Sequence, residues 1–335
     1  MAQKVRFGLT LSNRGVILGA VRPELLIEMA ERADSCGAFE HIWVGDSLMA
    51  KPRLDAFTLL SALAVRTKKV KLGTACLATF PSRNPIYMAY QWACMDVLSG
   101  GRMILGVCIG PILGPGSRLP NQREPLEIEY SNFGITSNKD RAAKLEENIT
   151  ILRRLWSENK VSYEGNFDVL SEVSIEPKPI QHLPPIWIAA GAPATAKPPI
   201  RERLLRRVAS MADGWQSTQQ PTAFAANKRE ILQYAKEYSR PVEDFPCLLY
   251  YRANIGDDTL AVLEESKKYL DMYYREDRAL PSLEKQYAMG SPARCIEQIQ
   301  ARIDAGATDM TFMFPAWDQK SQLKRLTEEV LPHFL

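Results

Sequence analysis

Several familiar kinds of site are missing from this chain of 335 residues. Its six cysteines are scattered, with no CxxC pair and no Cys/His cluster at zinc spacing, which favours a reducing compartment and excludes a structural zinc site. The three histidines are far apart, so no metal is expected. The GxxxxGK(S/T) phosphate loop, the GxGxxG turn and the HExxH and GxSxG motifs are also absent. NTPases, zinc peptidases and serine hydrolases of those types are therefore excluded.

Long apolar runs and clusters of one charge are missing as well. The formal net charge is only +3, and no basic block interleaved with aromatics occurs, so nucleic acid is not an expected partner. The amino terminus lacks the basic and apolar segments of a signal peptide. The uncharged stretch of residues 103–117 is interrupted by glycine and proline and is shorter than the roughly 20 apolar residues of a membrane span. These features predict a cytoplasmic protein without a membrane partner.

The chain does contain a repeated alternation of short apolar runs with amphipathic stretches, at a spacing of about 30 residues. The runs show no regular polar alternation, as in strands buried on both faces of a parallel sheet. The predicted strands are Val5–Leu11, Phe39–Val44, Val70–Leu77, Met103–Cys108, Pro185–Ala190, a short run from Gly214, Cys247–Ile255 and Thr308–Phe314. Eight such strands in series, with helices between them, favour a closed α/β barrel, the (β/α)8 or TIM barrel, over an open sheet.

Two insertions interrupt this pattern. Residues 110–139, after the fourth strand, are rich in glycine and proline, and we predict a long loop that covers the site as a lid. A helix over Asp140–Glu158 follows. Residues 160–176 then contain a turn sequence between two strand-like runs, which predicts a β-hairpin before the fifth strand. We expect one domain over residues 1–335 that carries both insertions.

The carboxyl-terminal ends of the predicted strands are expected to carry the functional site, since barrels bind their ligands there. The side chains at these ends are small or neutral, which favours a flat, largely apolar ring as the ligand over a sugar or a polyanion. Small residues also let helices approach a barrel closely, and the residues alone leave both interpretations open. The strand-end residues are Thr10, Asn13, Asp46, Ser47, Thr74, Ala75, Cys76, Cys108, Gly191, Ala192 and Thr195.

A resemblance to a known family bears on this choice. The segment Leu98–Cys108 (LSGGRMILGVC) closely resembles the LSxGR-hydrophobic-LG signature of the bacterial luciferase-like family of flavin-dependent oxidoreductases. Further similar segments, in the family's order, are Ile42–Asp46, Ser82–Pro85, Arg141–Trp156, Tyr163–Gly165, Pro177–Pro179, Pro185–Ile188 and Ala212–Trp215. The resemblance covers nearly the whole chain, and it implies a (β/α)8 barrel with a flavin or deazaflavin ring at the carboxyl-terminal face.

The resemblance also implies roles for individual residues. It implies a non-prolyl cis peptide bond at Ala75–Cys76, at the end of the third strand. It further implies that Arg141 pairs with the cofactor phosphate and that a phosphate cradle follows the fifth strand. Cys108 stands where luciferases carry a cysteine near the reactive carbon of the ring, although a space-filling thiol is the alternative. The cofactor contacts implied in this way are Thr10, Asp46, Thr74, Ala75, Cys76, Cys108, Arg141, Gly191, Ala192 and Thr195.

Two departures from the family pattern affect the chemistry. Many members have a histidine after the strand-two aspartate, where this chain has Ser47, and Asn84 replaces the histidine of the Arg-His-Pro element. A serine does not accept a proton at neutral pH without a partner base. Either Asp46 or a loop residue such as Glu124 or Tyr130 is then the acid/base group, or no such side chain is needed because hydride transfer belongs to the cofactor. The candidate catalytic residues are Asp46, Ser47 and Cys108.

The first functional hypothesis is a monooxygenase that uses reduced FMN, provided by a separate flavin reductase, on a small organic substrate. The alternative is a reductase or dehydrogenase that uses the deazaflavin coenzyme F420. Loss of the histidine weighs against alcohol oxidation, which needs a base, more than against reduction. A third hypothesis is a flavin-binding protein without catalysis, because widespread folds often change function. A homodimer through the apolar helix Ile86–Leu98 is a further expectation.

Overall fold

The computed structural model describes residues 4–113, 122–193 and 196–335. The strands are β1 Arg6–Leu11, β2 His41–Val44, β3 Lys71–Thr74, β4 Met103–Val107, β5 Val161–Glu164, β6 Val169–Val173, β7 Ile186–Ala189, β8 Gly214–Ser217, β9 Cys247–Ile255, β10 Ala288–Gly290 and β11 Asp309–Met313. The helices are α1 Asn13–Ile17, α2 Pro23–Cys36, α3 Ala56–Arg66, α4 Pro85–Ser99, α5 Arg123–Asn132, α6 Asn138–Ser157, α7 Pro198–Met211, α8 Pro221–Glu237, α9 Thr259–Tyr274, α10 Leu280–Gln286, α11 Pro292–Asp304 and α12 Gln319–Arg325. Within these ranges, no helix combines the length and the apolar character needed to cross a membrane.

In the described part of the chain, eight parallel strands close into a ring in the order β1-β2-β3-β4-β7-β8-β9-β11, with β11 pairing back to β1. The predicted (β/α)8 barrel is therefore confirmed. The three-residue strand β10 pairs with the end of β9 outside this ring, and the apolar pattern predicts neither β10 nor the short helices α1 and α10. Such short elements do not span enough residues to show a period in the sequence.

The helices begin and end where the local chemistry requires it. Proline occupies the first turn of α2, α4, α7, α8 and α11, where a missing N–H group has no cost. The Asp55 carboxylate accepts a hydrogen bond from Thr58 N at the start of α3, and Asn84 Oδ1 accepts two backbone bonds at the start of α4. Gly37 and Gly100 end α2 and α4 in the left-handed conformation. Asn84, which replaces a family histidine, is therefore a helix cap.

Both insertions are present after the fourth and before the fifth barrel strand. Strands β5 and β6 pair antiparallel within residues 160–176, where the hairpin was expected. Residues 110–139 were expected to form a loop, but they contain α5, which corrects that expectation. Leu126 and Tyr130 lie about one turn apart on α5 and pack with Ala50 and Leu113. This single apolar stripe is enough to form a helix inside a segment whose glycine and proline content suggested none.

A buried charge network closes the amino-terminal end of the barrel. Asp309 accepts hydrogen bonds from Arg6 Nε at 2.8 Å, Arg6 Nη2 at 2.7 Å and His41 Nε2 at 3.1 Å. Trp43 Nε1 donates to His41 Nδ1 at 2.9 Å, so His41 is the neutral tautomer with its proton on Nε2. Burial opposes the charge of Asp309, but the bonds from His41 and Arg6 outweigh it and hold the pKa of this carboxyl well below its usual range. His41 therefore has a structural role at the rim opposite the site.

Asp309→Asn is expected to lower the free energy of unfolding by about 3 kcal/mol, at the low end for a broken buried ion pair because Arg6 can reach water. The depressed pKa of Asp309 stabilises the fold above the ordinary carboxyl pKa, and this stabilisation is lost as the pH falls towards the folded value. In urea unfolding, the difference in unfolding free energy between the wild type and Asp309→Asn should therefore shrink below about pH 4. Glu31→Gln, which removes the exposed pair with Arg66, is the control with an effect of about 1 kcal/mol or less. Equal effects of the two substitutions would contradict the prediction.

Candidate active site

A cavity of about 350 Å³ opens at the carboxyl-terminal face of the barrel. Its lining residues follow β2, β3 and β4, lie at or just beyond the ends of β7 and β8, or lie on β9 and at the end of α9. One group of them, the small-residue wall, consists of Ala75, Cys76, Ala78, Cys108, Ala189, Ala190 and Gly191. A second group, the cationic cluster, consists of Lys51, Arg53 and Arg252, and Tyr250, Tyr273 and Tyr274 lie beside it. The cavity thus combines an uncharged surface with a positively charged one.

A glycine in β4 allows the small-residue wall to form. A methyl group on Gly106 would lie 1.9 Å from the carbonyl oxygen of Thr74 and 2.4 Å from Gln216 Nε2, far inside contact distance. Without that group, Thr74 Oγ1 donates to Gly106 O at 2.6 Å, and Gln216 Nε2 donates to Thr74 O at 3.0 Å. Gln216 thereby reaches from β8 to the end of β3 and lines the cavity. The peptide bond that follows, Ala75–Cys76, is cis, as the family resemblance implied.

Asp46 and Ser47 line this cavity and also a neighbouring one of about 360 Å³. Asp46 Oδ2 accepts hydrogen bonds from Thr79 N and Thr79 Oγ1, both at 2.8 Å, and Arg83 Nη2 lies 3.5 Å from Oδ1. Ser47 Oγ accepts a bond from Lys51 N at 3.0 Å. Both side chains are therefore engaged in holding the loops around the cavity.

Asp46 is the one carboxylate among the described residues that line the cavity together with the cationic cluster. Arg53 Nε donates to Lys51 O at 3.3 Å. Arg252 donates to Tyr287 Oη at 2.8 Å and also to Tyr274 Oη. Burial lowers the pKa of Lys51, and the nearby charge of Arg53 adds to this effect. Because buried cations cost free energy unless an opposite charge compensates them, the cluster is suited to an anionic ligand.

Tyr274 is a lining phenol whose pKa is lowered. Burial by itself raises the pKa of this phenol, but the charges of the cationic cluster and the hydrogen bond from Arg252 outweigh burial and lower its pKa to about 8. The pKa values of the neighbours Tyr250 and Tyr273 are raised, chiefly by burial. At pH 7 most Tyr274 side chains therefore hold a proton that they release readily.

The structure brings some of the expected site residues together and places others outside the cavity lining. Those that line it are Asp46, Ser47, Ala75, Cys76, Cys108 and Gly191. Thr10 is buried, and its Oγ1 lies 2.8 Å from Thr311 Oγ1, between β1 and β11. Thr74 does not line the cavity, and its hydroxyl donates a hydrogen bond to Gly106 O of β4. Ala192 does not line it either, and its carbonyl oxygen accepts a hydrogen bond from Gln219 Nε2 at 3.0 Å. Thr195 lies outside the described residues.

Arg141 is fully buried next to the first insertion. Its guanidinium lies 3.8 Å from the centroid of the Tyr130 ring, and Nη2 donates to Pro111 O at 2.9 Å. Its Nε and Nη1 have no hydrogen-bond partner in the described ranges. Tyr130 Oη donates to Pro111 O at 3.1 Å, burial raises its pKa, and Glu124 is exposed on α5. Neither of these two loop residues, considered above as acid/base groups, lines the cavity.

Sequence reasoning missed Lys51, Arg53, Gln216, Arg252 and Tyr274. Arg252 had a visible signal, because it is the one charged residue in the otherwise uncharged strand β9. Lys51 and Arg53 had a weaker one, as two cations shortly after the end of strand β2. Tyr274 ends a helix rather than a strand, and no local pattern distinguishes it from the other tyrosines of α9.

Comparison with known proteins agrees with this fold. A family model described as luciferase-like monooxygenase matches residues 5–309. The chain is 28% identical to an F420-dependent glucose-6-phosphate dehydrogenase of Amycolatopsis mediterranei, over 92% of this chain and 94% of that protein. It is 25% identical to the enzyme of the same name from Rhodococcus erythropolis, over 99% and 98% of the two chains. The structure of an F420-dependent secondary alcohol dehydrogenase in complex with an F420-acetone adduct has a TM-score of 0.79, at 16% identity over 99% of both chains. With a family match over most of its length, the chain belongs to the luciferase-like monooxygenase family and is an oxidoreductase of that type.

Proposed function

We propose that this protein is an oxidoreductase that depends on coenzyme F420 and reduces an anionic substrate. The observation that carries the proposal is the cavity, which joins the small-residue wall to the cationic cluster at the strand ends. Both curated relatives described above are named as F420-dependent enzymes, which supports this cofactor over the reduced FMN of the first hypothesis. The monooxygenase function and its flavin reductase partner have no comparable support from these relatives.

The small-residue wall fits a planar deazaflavin ring, because its side chains leave the strand ends flat and uncharged. We assign ring contacts to Ala75, Cys76 and Cys108. Gly191 is assigned to the phosphorylated tail, since a methyl group there would lie 3.1 Å from a neighbouring glutamine side chain and narrow the space. Arg141 and Ala192 do not line the cavity and Thr195 lies outside the described residues, so tail contacts by these three stay predictions. When bound, the coenzyme provides the hydride chemistry of a two-electron carrier.

The cationic cluster supports a substrate that carries a carboxylate or phosphate group. Two guanidinium groups and one ammonium group line the same cavity, and arginine binds such oxyanions through paired N–H groups. The relatives named above act, by name, on a phosphorylated sugar. Three cationic side chains face one carboxylate, Asp46, among the described lining residues, so an anion between them would compensate the remaining positive charge.

Tyr274 is assigned as the proton donor of the reduction. Hydride addition to a substrate creates negative charge, which a positioned acid neutralises. Tyr274 is mostly protonated at pH 7 because its pKa is about 8, and Arg252 donates a hydrogen bond that stabilises the phenolate left behind. Ser47 replaces the histidine that acts as base in many family members, so alcohol oxidation lacks that group here.

Titration of the purified protein is expected to give a dissociation constant for F420 at least about tenfold below that for FMN, a difference of about 1.4 kcal/mol. Quenching of protein fluorescence measures both, since Trp43 and Trp187 pack below the small-residue wall next to Ala75. A Gly191→Val variant should weaken the binding of both ligands. Val169→Ala, on the exposed hairpin, should change neither dissociation constant. Tighter binding of FMN, together with oxygen consumption by the reduced complex, would restore the monooxygenase hypothesis.

We also propose that the protein forms a homodimer through α4. Tyr87, Tyr90 and Leu98 lie on one side of this helix and are 72%, 44% and 52% exposed, an unusual apolar stripe for a monomer. Light scattering is expected to give twice the chain mass of 37.7 kDa. A variant with both Tyr87→Glu and Leu98→Glu should give the monomer mass, whereas Val169→Glu, at an exposed position of β6, should not. A monomeric wild type at micromolar concentration would contradict the proposal.

A further inference from the structure

Two cysteines meet at the carboxyl-terminal ends of neighbouring strands. Cys76 follows β3 and Cys108 follows β4, and these strands pair in parallel. Beyond the ladder, Leu77 N donates to Gly106 O at 2.7 Å, and Leu77 forms a further bridge with Val107. The backbone pairing therefore holds the two side chains next to each other, independently of any contact between them.

The two sulfur atoms lie 2.7 Å apart. This is closer than an ordinary contact of two thiols, while an S–S bond is about 2.05 Å long. Both residues are half-buried, and both line the cavity, so a small solute reaches them. The Cys76 thiol donates to Cys108, and this bond, with one from the backbone N–H of Gly110, lowers the pKa of Cys108 despite its burial.

The other described cysteines lack this arrangement. Cys247 and Cys295 are buried, and burial raises the pKa of each to about 12, which makes them poor nucleophiles. Cys36 is exposed at the end of α2, and Cys94 is half-buried on α4. Neither has a second sulfur as a bonded neighbour among the described residues. Among the described cysteines, Cys76 and Cys108 alone are both accessible from the cavity and in contact with a second thiol.

We propose that Cys76 and Cys108 are a reversible redox modification site, in which a hydroperoxide oxidises Cys108 and Cys76 resolves the product as a disulfide. The Cys108 sulfur attacks one peroxide oxygen, the O–O bond breaks, and water leaves, so that Cys108 becomes a sulfenic acid. The Cys76 sulfur then attacks the Cys108 sulfur, the S–O bond breaks, and a second water leaves with the Cys76 proton. Two thiols are oxidised to one disulfide, and one hydrogen peroxide is reduced to two waters.

The pair protects the site from irreversible damage. A sulfenic acid without a neighbouring thiol is oxidised further to sulfinic acid, which ordinary reductants do not reverse. Because both sulfurs lie in the wall assigned to the cofactor ring, a bound ring covers them, so cofactor binding and oxidation exclude each other. This last statement rests on the proposed function, whereas the disulfide chemistry does not.

Peptide mass spectrometry of the whole protein tests the proposal. Trypsin releases Cys76 in residues 72–83, Cys108 in residues 103–118 and Cys94 in residues 84–102, each with a single cysteine. Hydrogen peroxide on cofactor-free protein is expected to join the first two peptides with loss of two hydrogens, and dithiothreitol should separate them. The Cys94 peptide is the internal control. Absence of the joined peptide, or oxidation of Cys94 at an equal rate, would overturn the proposal.

Two further arms separate the steps. In Cys76→Ser, the Cys108 peptide should gain two oxygen atoms, and dithiothreitol should not reverse this change. Cys94→Ser should behave as the wild type. Over-oxidation of the wild type as fast as that of Cys76→Ser would refute the resolving role of Cys76.

F420 at a hundred times its dissociation constant should slow disulfide formation about a hundredfold, because only free protein reacts. Disulfide formation without F420 binding would refute the proposed function and leave the dithiol site intact. F420 binding without protection would refute the shared location.

Discussion

Replacing Tyr274 by phenylalanine is expected to lower the rate of substrate reduction by a factor of about 10² to 10⁴, the usual contribution of a positioned general acid. The substitution removes one oxygen atom from a side chain at the end of α9, so cofactor binding should change little. The defect should therefore appear in kcat rather than in the dissociation constant for F420. Stopped-flow decay of the reduced-coenzyme signal measures the step directly.

The pH profile identifies the group responsible. In the wild type, Tyr274 loses its proton as the pH rises through about 8, so the reduction rate should fall above that value. Tyr274→Phe should lose this alkaline limb, the fall in rate above about pH 8, and should show a low rate that does not change with pH. Tyr273→Phe should keep the alkaline limb, because the pKa of Tyr273 is raised. A limb that persists in Tyr274→Phe would assign the proton to another group. Activity that rises with pH in the wild type would instead indicate that the enzyme works as a dehydrogenase.

Replacing Arg252 by methionine is expected to lower kcat/KM for an anionic substrate by a factor of about 150, since losing a buried charge partner costs about 3 kcal/mol. The loss should appear mainly in KM. Arg252 also lowers the pKa of Tyr274, so the alkaline limb should move to higher pH in the same variant. Steady-state kinetics across pH measures both effects in one experiment.

A neutral analogue of the substrate distinguishes charge recognition from damage to the fold. Arg252→Met should leave KM for the neutral analogue nearly unchanged, and Arg252→Lys should recover part of the binding of the anion because it keeps the charge. Thermal unfolding of each variant controls for stability. Equal losses for the charged and the neutral substrate would show that Arg252 acts by packing on Tyr250, Tyr274 and Tyr287 rather than by binding an anion.

Most of the barrel could be predicted because its determinants are local. The mostly apolar runs around β1 to β4, which lack regular polar alternation, indicate strands buried on both faces, and Pro85 after Asn84 marks the start of α4. Helix α5 was missed because its two packing residues, Leu126 and Tyr130, contact Ala50 in the β2–α3 loop and Leu113 near the start of the insertion. Those partners contribute nothing to a local pattern.

The site could be predicted only by position. Strand ends were the right place to look, and Ala75, Cys76, Cys108 and Gly191 do line the cavity. Thr10 and Arg141 do not, because the direction of a side chain at a strand end, or on a helix buried on several sides, depends on which neighbours it meets. Cys76 and Cys108 were considered separately, and only the pairing of β3 with β4 makes them neighbours.

The sequence alone therefore determined the eight-stranded barrel, its two insertions and the rim that carries the cavity, because periodicity, capping and turn residues act over a few neighbouring positions. The tertiary structure decided that Lys51, Arg252 and Tyr274 share one cavity and that Tyr274 has a pKa of about 8. Such a pKa depends on burial and on the distances between charges, and these groups lie on the β2–α3 loop, β9 and α9. Their distances exist only once the barrel has closed.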